Sequence, residues 1–311
     1  MKSFLKLSLF YFLVLLAGIV SCTKEVKIDI PGYKEQLVVD GFIETGAPAF
    51  VLLSKTNNIY AGTNIQNYID GFVSGATVIV SDGTVIDTLL EVCTSNLPQG
   101  TEEAVAGLLG LSVDQILSNP ICFYVSDQIT GEVGKTYSLK ILNEGKIYEA
   151  QSSILPQKQL DSLYWKPESN SPNFGFSWAK LTDSPEKGNA YKWEVKYVSV
   201  PGFSKPFNPF TDDRFYNGLS FDFAYENPMS FNNPNIPNDQ RGYFKLGDTI
   251  VVKFSTLGQK EFQYYQKKYN QIYSAGNPFA TPVNIPSNLS NGALGIWAAF
   301  SPTFDTLICK P

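Results

Sequence analysis

Three kinds of side chain in this chain could do chemistry: four cysteines, a set of loop carboxylates and a long run of aromatic rings. Cys22 carries the most specific signal. It closes Ile19-Val20-Ser21-Cys22, the end of an apolar run from Leu7 to Val20 that begins just after Lys2 and Lys6. A basic start, an apolar middle and a small residue before the cut are the three parts of an export signal. A small residue followed by cysteine at the junction resembles a bacterial lipoprotein signal, which implies a diacylglyceryl thioether on the Cys22 sulfur and a further acyl chain on the new amino terminus. Each buried methylene contributes ~0.8 kcal/mol, so such an anchor is effectively permanent. As a helix the run would span only about 21 Å, against a hydrocarbon core of ~30 Å. The competing reading is an uncleaved transmembrane helix with a chance cysteine. Residues 1–21 therefore read as a signal peptide and residues 22–33 as a lipidated tether. The tether contains Lys24-Glu25, which is either the start of a surface-export tag or a solvated pair with no address.

Several chemistries are excluded by composition. The chain has no histidine, which removes Ser-His-Asp and Cys-His nucleophile systems, His-ligated zinc and His proton relays. No enzymatic activity and no cofactor are expected. The formal net charge is −5 and becomes more acidic once Lys2 and Lys6 leave with the signal. Without a basic block, nucleic acid is not an expected partner. Asp212, Asp213, Asp222 and Glu226 cluster in a loop-rich region and could offer oxygens to Ca²⁺; the alternative is solvated loop acids. Cys93 and Cys122 flank an interruption in the strand pattern and could close it as a disulfide, leaving Cys309 over. The alternative is three reduced, buried thiols.

The aromatic run lies among Pro and Asn. Phe207, Phe210, Phe215, Tyr216, Phe221 and Phe223 make it a candidate ligand or partner surface, because rigid rings beside polar loop residues are what recognition surfaces use. The alternative is a packed loop covering a sheet edge. Trp165, Trp178 and Trp193 pose the same choice between core and glycan platform.

The elements that would position these residues are mostly strands. Gln36–Ile43, Phe50–Ser54, Ala76–Val80 and Val85–Leu89 have strand character. Leu97–Asn119 breaks the pattern with two capped helix starts, Thr101-Glu102-Glu103-Ala104 and Ser112-Val113-Asp114-Gln115. Gly134–Ile141 and Lys146–Ala150 around Asn143-Glu144-Gly145 form a hairpin. A second unit follows, with strands at Leu160–Trp165, Phe174–Trp178, Tyr191–Val200, Asp248–Ser255, Gly295–Phe300 and Phe304–Ile308. Lys260–Ser274 reads as a long helix with Phe262, Tyr265, Tyr269 and Ile272 on one stripe. The expected fold is mainly β: two antiparallel β-sandwich units of the immunoglobulin or fibronectin-III kind, residues 34–156 and 157–311. A short helical insertion sits in the first, and one longer helix near 259–274 in the second.

These motifs come in a recognisable order. Leu37-Val38-Val39-Asp40-Gly41, Gly134-x-Thr136-Tyr137 and Gly145-x-x-Tyr148-x-Ala150 follow the lipidation motif. Gly276-Asn277-Pro278-Phe279, Pro282, Pro286-Ser287-Asn288 and Asn291-Gly292-x-Leu294-Gly295 are the most specific part. Together they resemble the Bacteroidota outer-membrane lipoproteins of the "domain of unknown function 4249" family; Ile296-Trp297-Ala298-Ala299-Phe300 departs modestly from that pattern. The resemblance implies a lipid anchor in the outer membrane beside a TonB-dependent barrel receptor, with oligosaccharide or peptide cargo. It implies no catalytic residue. The alternative function is a structural or adhesive surface sandwich that binds glycans or proteins.

Overall fold

The computed structural model describes residues 34–56, 65–231, 233–274 and 283–310. The expected signal peptide, tether and Cys22 lie outside the described residues, as do Gly276–Phe279 and Pro282. No helix among the described residues is long and apolar enough to cross a membrane. The fold is mainly β. Its first half contains β1 (Leu37–Glu44), β2 (Pro48–Lys55), α1 (Ile65–Ile69), β3 (Thr77–Ser81), β4 (Ile86–Thr88), β5 (Leu90–Cys93), α2 (Glu102–Leu109) and α3 (Val113–Ser118). The strands β6 (Cys122–Thr130), β7 (Thr136–Asn143) and β8 (Lys146–Ser153) complete it. The second half contains β9 (Ser162–Glu168), β10 (Ser171–Thr182), β11 (Ala190–Tyr197), β12 (Phe210–Asp212), β13 (Ser220–Tyr225) and β14 (Phe244–Lys245). It ends with β15 (Thr249–Leu257), α4 (Gln259–Tyr273) and β16 (Leu294–Ile308).

Eight strands form one long sheet in the order β12-β11-β15-β16-β1-β2-β6-β5. This sheet runs through the expected boundary at residue 156, so the two halves share a backbone ladder. The join is a parallel pairing of β1 with β16, Val38 opposite Leu294 through Glu44 opposite Phe300. Gly295 makes the join possible. Its φ is +97°, and an added Cβ would stand 1.9 Å from the Val39 carbonyl oxygen, so only glycine fits there.

Two four-stranded sheets cover one face of the long sheet. Over the first half lies β4-β3-β7-β8, burying Val78, Val80, Leu139 and Ile141 against Val39, Ile43, Trp297 and Ala299. Over the second half lies the sheet β13-β10-β14, with β9 also paired to β10. It buries Trp165, Ala179, Leu181 and Phe244 against Tyr191, Trp193, Val195 and Phe254. In β16, Trp297 belongs to the first core and Leu307 to the second. They are ten positions apart in one strand, so strand alternation puts both on the same face. Trp297 is fully buried, and its indole N–H donates to the Tyr137 carbonyl at 3.0 Å, tying the long sheet to its cover.

The opposite face of the long sheet is covered by helices. Beneath α4, Phe262 and Tyr264 pack with Ile296, Ala298, Phe300, Leu257 and Phe210. The stripe expected on this helix is thus a packing face at Phe262, with Tyr265 and Tyr269 on its flank; Ile272 is exposed. Beneath the insertion, Val105, Ala106, Leu109 and Ile116 pack on Phe50 and Phe123. The start of α3 is a capping box: the Gln115 N–H donates to Ser112 Oγ, and the Ser112 N–H to Gln115 Oε1. β5 and β6 place Cys93 directly opposite Cys122, and the two form a disulfide. Cys309 is free and buried, and burial pushes its thiol up to about 12.

Candidate functional site

Between the two helical covers the long sheet is open, and there it carries charge. Strand alternation sends Val39 and Ile43 of β1 into the core and leaves Asp40, Phe42 and Glu44 on the helical side. By the same alternation β11 buries Tyr191, Trp193 and Val195 in the core and turns Lys192 and Glu194 to the helical side. Glu194 stands opposite Lys253 of β15. The result is a groove of about 390 Å³ with a sheet floor. Its rims are Leu108 of α2 and Ile272 of α4, both more than half exposed, and the loop carrying Phe203 and Lys205.

The floor is an ionic chain. Lys192 Nζ lies 2.8 Å from Glu194 Oε2, Lys253 Nζ lies 3.6 Å from the same oxygen, and Lys253 also meets Glu44 at 2.6 Å. Lys192 and Glu194 are both buried. Burial opposes ionisation of Glu194, but Lys192, Lys253 and Lys205 outweigh it and bring its carboxyl down to about 2. Burial lowers the Lys192 ammonium, with Glu194 acting against it. Burial also works against Lys253, but Glu44 and Glu194 overcome it and the group is raised. At the side of the groove, Lys268 of α4 pairs with Asp40 at 3.0 Å and pins the helix to β1. These amines and carboxylates are already committed to one another. The arrangement fixes a pattern of charge at the bottom of an apolar-rimmed cleft, which suits orientation of a docked segment.

The sequence-predicted residues are divided between packing and surface. Phe210 is buried and stacks on Tyr265 at 4.8 Å. Tyr216, Phe221 and Phe223 are half-buried against the second core, where Phe223 meets Trp193 edge-on at 5.7 Å. These four pack on the cores, and Phe210, Phe221 and Phe223 do so from strands β12 and β13. Phe207 and Phe215 remain exposed, at 63% and 88%. Phe207 is held by Tyr273, whose ring stacks at 3.8 Å and whose hydroxyl donates to the Phe207 carbonyl. Trp165 and Trp193 are core; Trp178 is on the outer face of β10, only partly covered.

The acids do not converge. Asp213 accepts from the Gly188 and Asn189 N–H groups, Asp212 pairs with Arg214, Asp222 accepts from the Tyr164 hydroxyl and Glu226 from the Phe207 N–H. Among the described residues no three His, Cys, Asp or Glu side chains group as a metal site. The ionic floor went unread in the sequence. Lys192 and Glu194 alternate with Tyr191, Trp193 and Val195, which is also what a solvent-facing strand looks like.

The specific loop after α4 has a structural use. The Asn288 side chain donates to the Trp297 carbonyl at 2.8 Å and accepts from its N–H at 3.0 Å, and Ser287 Oγ donates to the Ala293 carbonyl. These bonds hold the entry to β16 beside β1. No curated protein and no solved structure matches the chain. A family model, by contrast, matches residues 23–304, nearly all of the sequence beyond Cys22. The chain belongs to the family described as Domain of unknown function (DUF4249).

Proposed function

We propose that the protein is a non-catalytic accessory lipoprotein, anchored in the outer membrane through Cys22, that engages a TonB-dependent transporter in nutrient uptake. The groove between α2 and α4 is its docking site. The observation that carries this reading is the groove itself: exposed Leu108 and Ile272 above a buried, internally paired ionic floor. An apolar rim supplies contact area, while fixed charge beneath it selects register. The missing histidine supports a binding role over catalysis. The runner-up, an adhesive glycan- or protein-binding surface protein, is favoured by one observation, the half-buried rings of Phe176 and Trp178 on the outer face of β10.

The test is co-purification of the tagged chain from detergent-solubilised outer membranes. A barrel transporter should come with the wild-type chain and be lost with Leu108→Asp or Ile272→Asp, since both rim positions are exposed and tolerate a charge. Recovery without any barrel, or equal recovery with both variants, overturns the proposal.

A further inference from the structure

The second cover sheet has an outer face that the groove does not use. Strand alternation turns Trp165, Ala179 and Leu181 inward and leaves Tyr164, Lys166, Phe176, Trp178 and Lys180 outward. Trp178 stands opposite Tyr164 on one side and Ala224 on the other. Toward β9 its ring is occupied: Tyr164 lies nearly parallel at 6.3 Å and Lys166 Nζ sits 5.1 Å from the ring centre. Toward β13 the opposing side chain is a single methyl, too small to cover an indole. A depression of about 400 Å³ opens there, walled by Phe176 and Trp178 on one side and Pro206, Phe207 and Asn208 on the other. Glu226 lies in it and accepts the Phe207 N–H at 3.4 Å. The volume is within the range of small-molecule sites.

We infer that this depression binds a neutral oligosaccharide, with a sugar ring laid on the free side of Trp178. Three features select that ligand. A pyranose has an apolar C–H face and a rim of hydroxyls, which matches a ring wall with an acid and an amide beside it. Glu226 offers acceptor oxygens and Asn208 both a donor and an acceptor, the pairing that a hydroxyl rim requires. Glu226 is the one charged side chain among those lining the depression, so an anion is disfavoured there. The site is also built before any ligand arrives. Phe207 is stacked on Tyr273, and Phe176 packs on Tyr243 at 4.9 Å, so little ordering remains to oppose binding. This inference is independent of the groove and survives its failure.

The test uses the mature full chain in detergent, titrated calorimetrically with cellohexaose, xylohexaose, mannohexaose, maltohexaose and chitohexaose. Quenching or a shift of tryptophan fluorescence is read in parallel. At least one sugar should bind. Trp178→Ala should weaken it ten-fold or more and abolish the fluorescence change, with the melting temperature held. Trp178→Phe should restore part of the affinity, and Phe207→Ala should weaken it as well. Failure of every sugar to bind at millimolar concentration overturns the inference, and so does binding left intact by Trp178→Ala. A transporter lost from the co-purification on Trp178→Ala, with no sugar bound, would reassign the rings to a protein contact and overturn it too.

Discussion

Removing one carboxylate from the groove floor should have a cost that depends on pH in a defined direction. In Glu194→Gln, Lys192 is left buried without its partner at 2.8 Å and Lys253 keeps Glu44 alone. Breaking a buried pair from one side typically costs ~3–5 kcal/mol. The titration gives a second route. Glu194 falls from an ordinary 4.5 to about 2, and each unit is worth ~1.4 kcal/mol, so ionisation of this group in the fold contributes on the order of 3 kcal/mol. The two routes agree. Because the folded value is depressed, the contribution is fully present above 4.5 and is lost as pH falls through about 2. The assay is urea unfolding of wild type and Glu194→Gln at a series of pH values, read as the difference between the two chains so that other carboxylates cancel. The difference should be on the order of 3 kcal/mol at pH 7 and should shrink steadily below pH 4.5. A double variant, Lys192→Met with Glu194→Leu, should regain most of the loss, since an apolar pair of similar volume removes both charges. A pH-independent difference, or one under ~1 kcal/mol, would falsify the reading of the floor as a strongly coupled ionic chain.

Other outcomes follow from named contacts. Gly295→Ala must displace the Val39 carbonyl, 1.9 Å from the new methyl, and should destabilise by more than ~3 kcal/mol or prevent folding; a normal melting curve would contradict the parallel join. Reducing Cys93–Cys122, 29 residues apart, should lower stability by ~3–4 kcal/mol, while Cys309 stays unlabelled by thiol reagent in the native protein. Ser112→Ala removes one half of the capping box and should cost ~1 kcal/mol without changing the far-ultraviolet spectrum. Mass spectrometry of the mature chain from membranes should show acyl groups on Cys22, and a retained leader or a bare thiol there would remove the basis for an envelope role.

The strands were legible wherever alternation was local. The hairpin β7–β8 and the strands β1, β2, β3 and β11 lie within a few residues of their expected places, because a β-branched run with a turn at each end carries its own evidence. The α3 cap was legible for the same reason. What crosses the chain was not. Nothing in Leu37-Val38-Val39 announces a parallel partner more than 250 residues later. The final strand was expected as two pieces, Gly295–Phe300 and Phe304–Ile308, which lie either side of Pro302, yet β16 is continuous. The reason is local: the last β1 pairing is Glu44 with Phe300, so one flanking ladder has already ended where the proline sits, a position strands tolerate. The aromatic run misled for a related reason. Phe210 and Phe223 look like Phe207 in sequence, and only the position of α4 and β13 decides which rings are covered.

The proposed docking is tested most directly by a photo-crosslinking residue placed at Ile272, on the groove rim, in the full chain expressed in its own host, with Leu246, exposed and outside the groove lining, as the control. The account predicts an adduct with an outer-membrane barrel from position 272 and none from position 246. An empty lane at 272, or the same adducts from both positions, would contradict it.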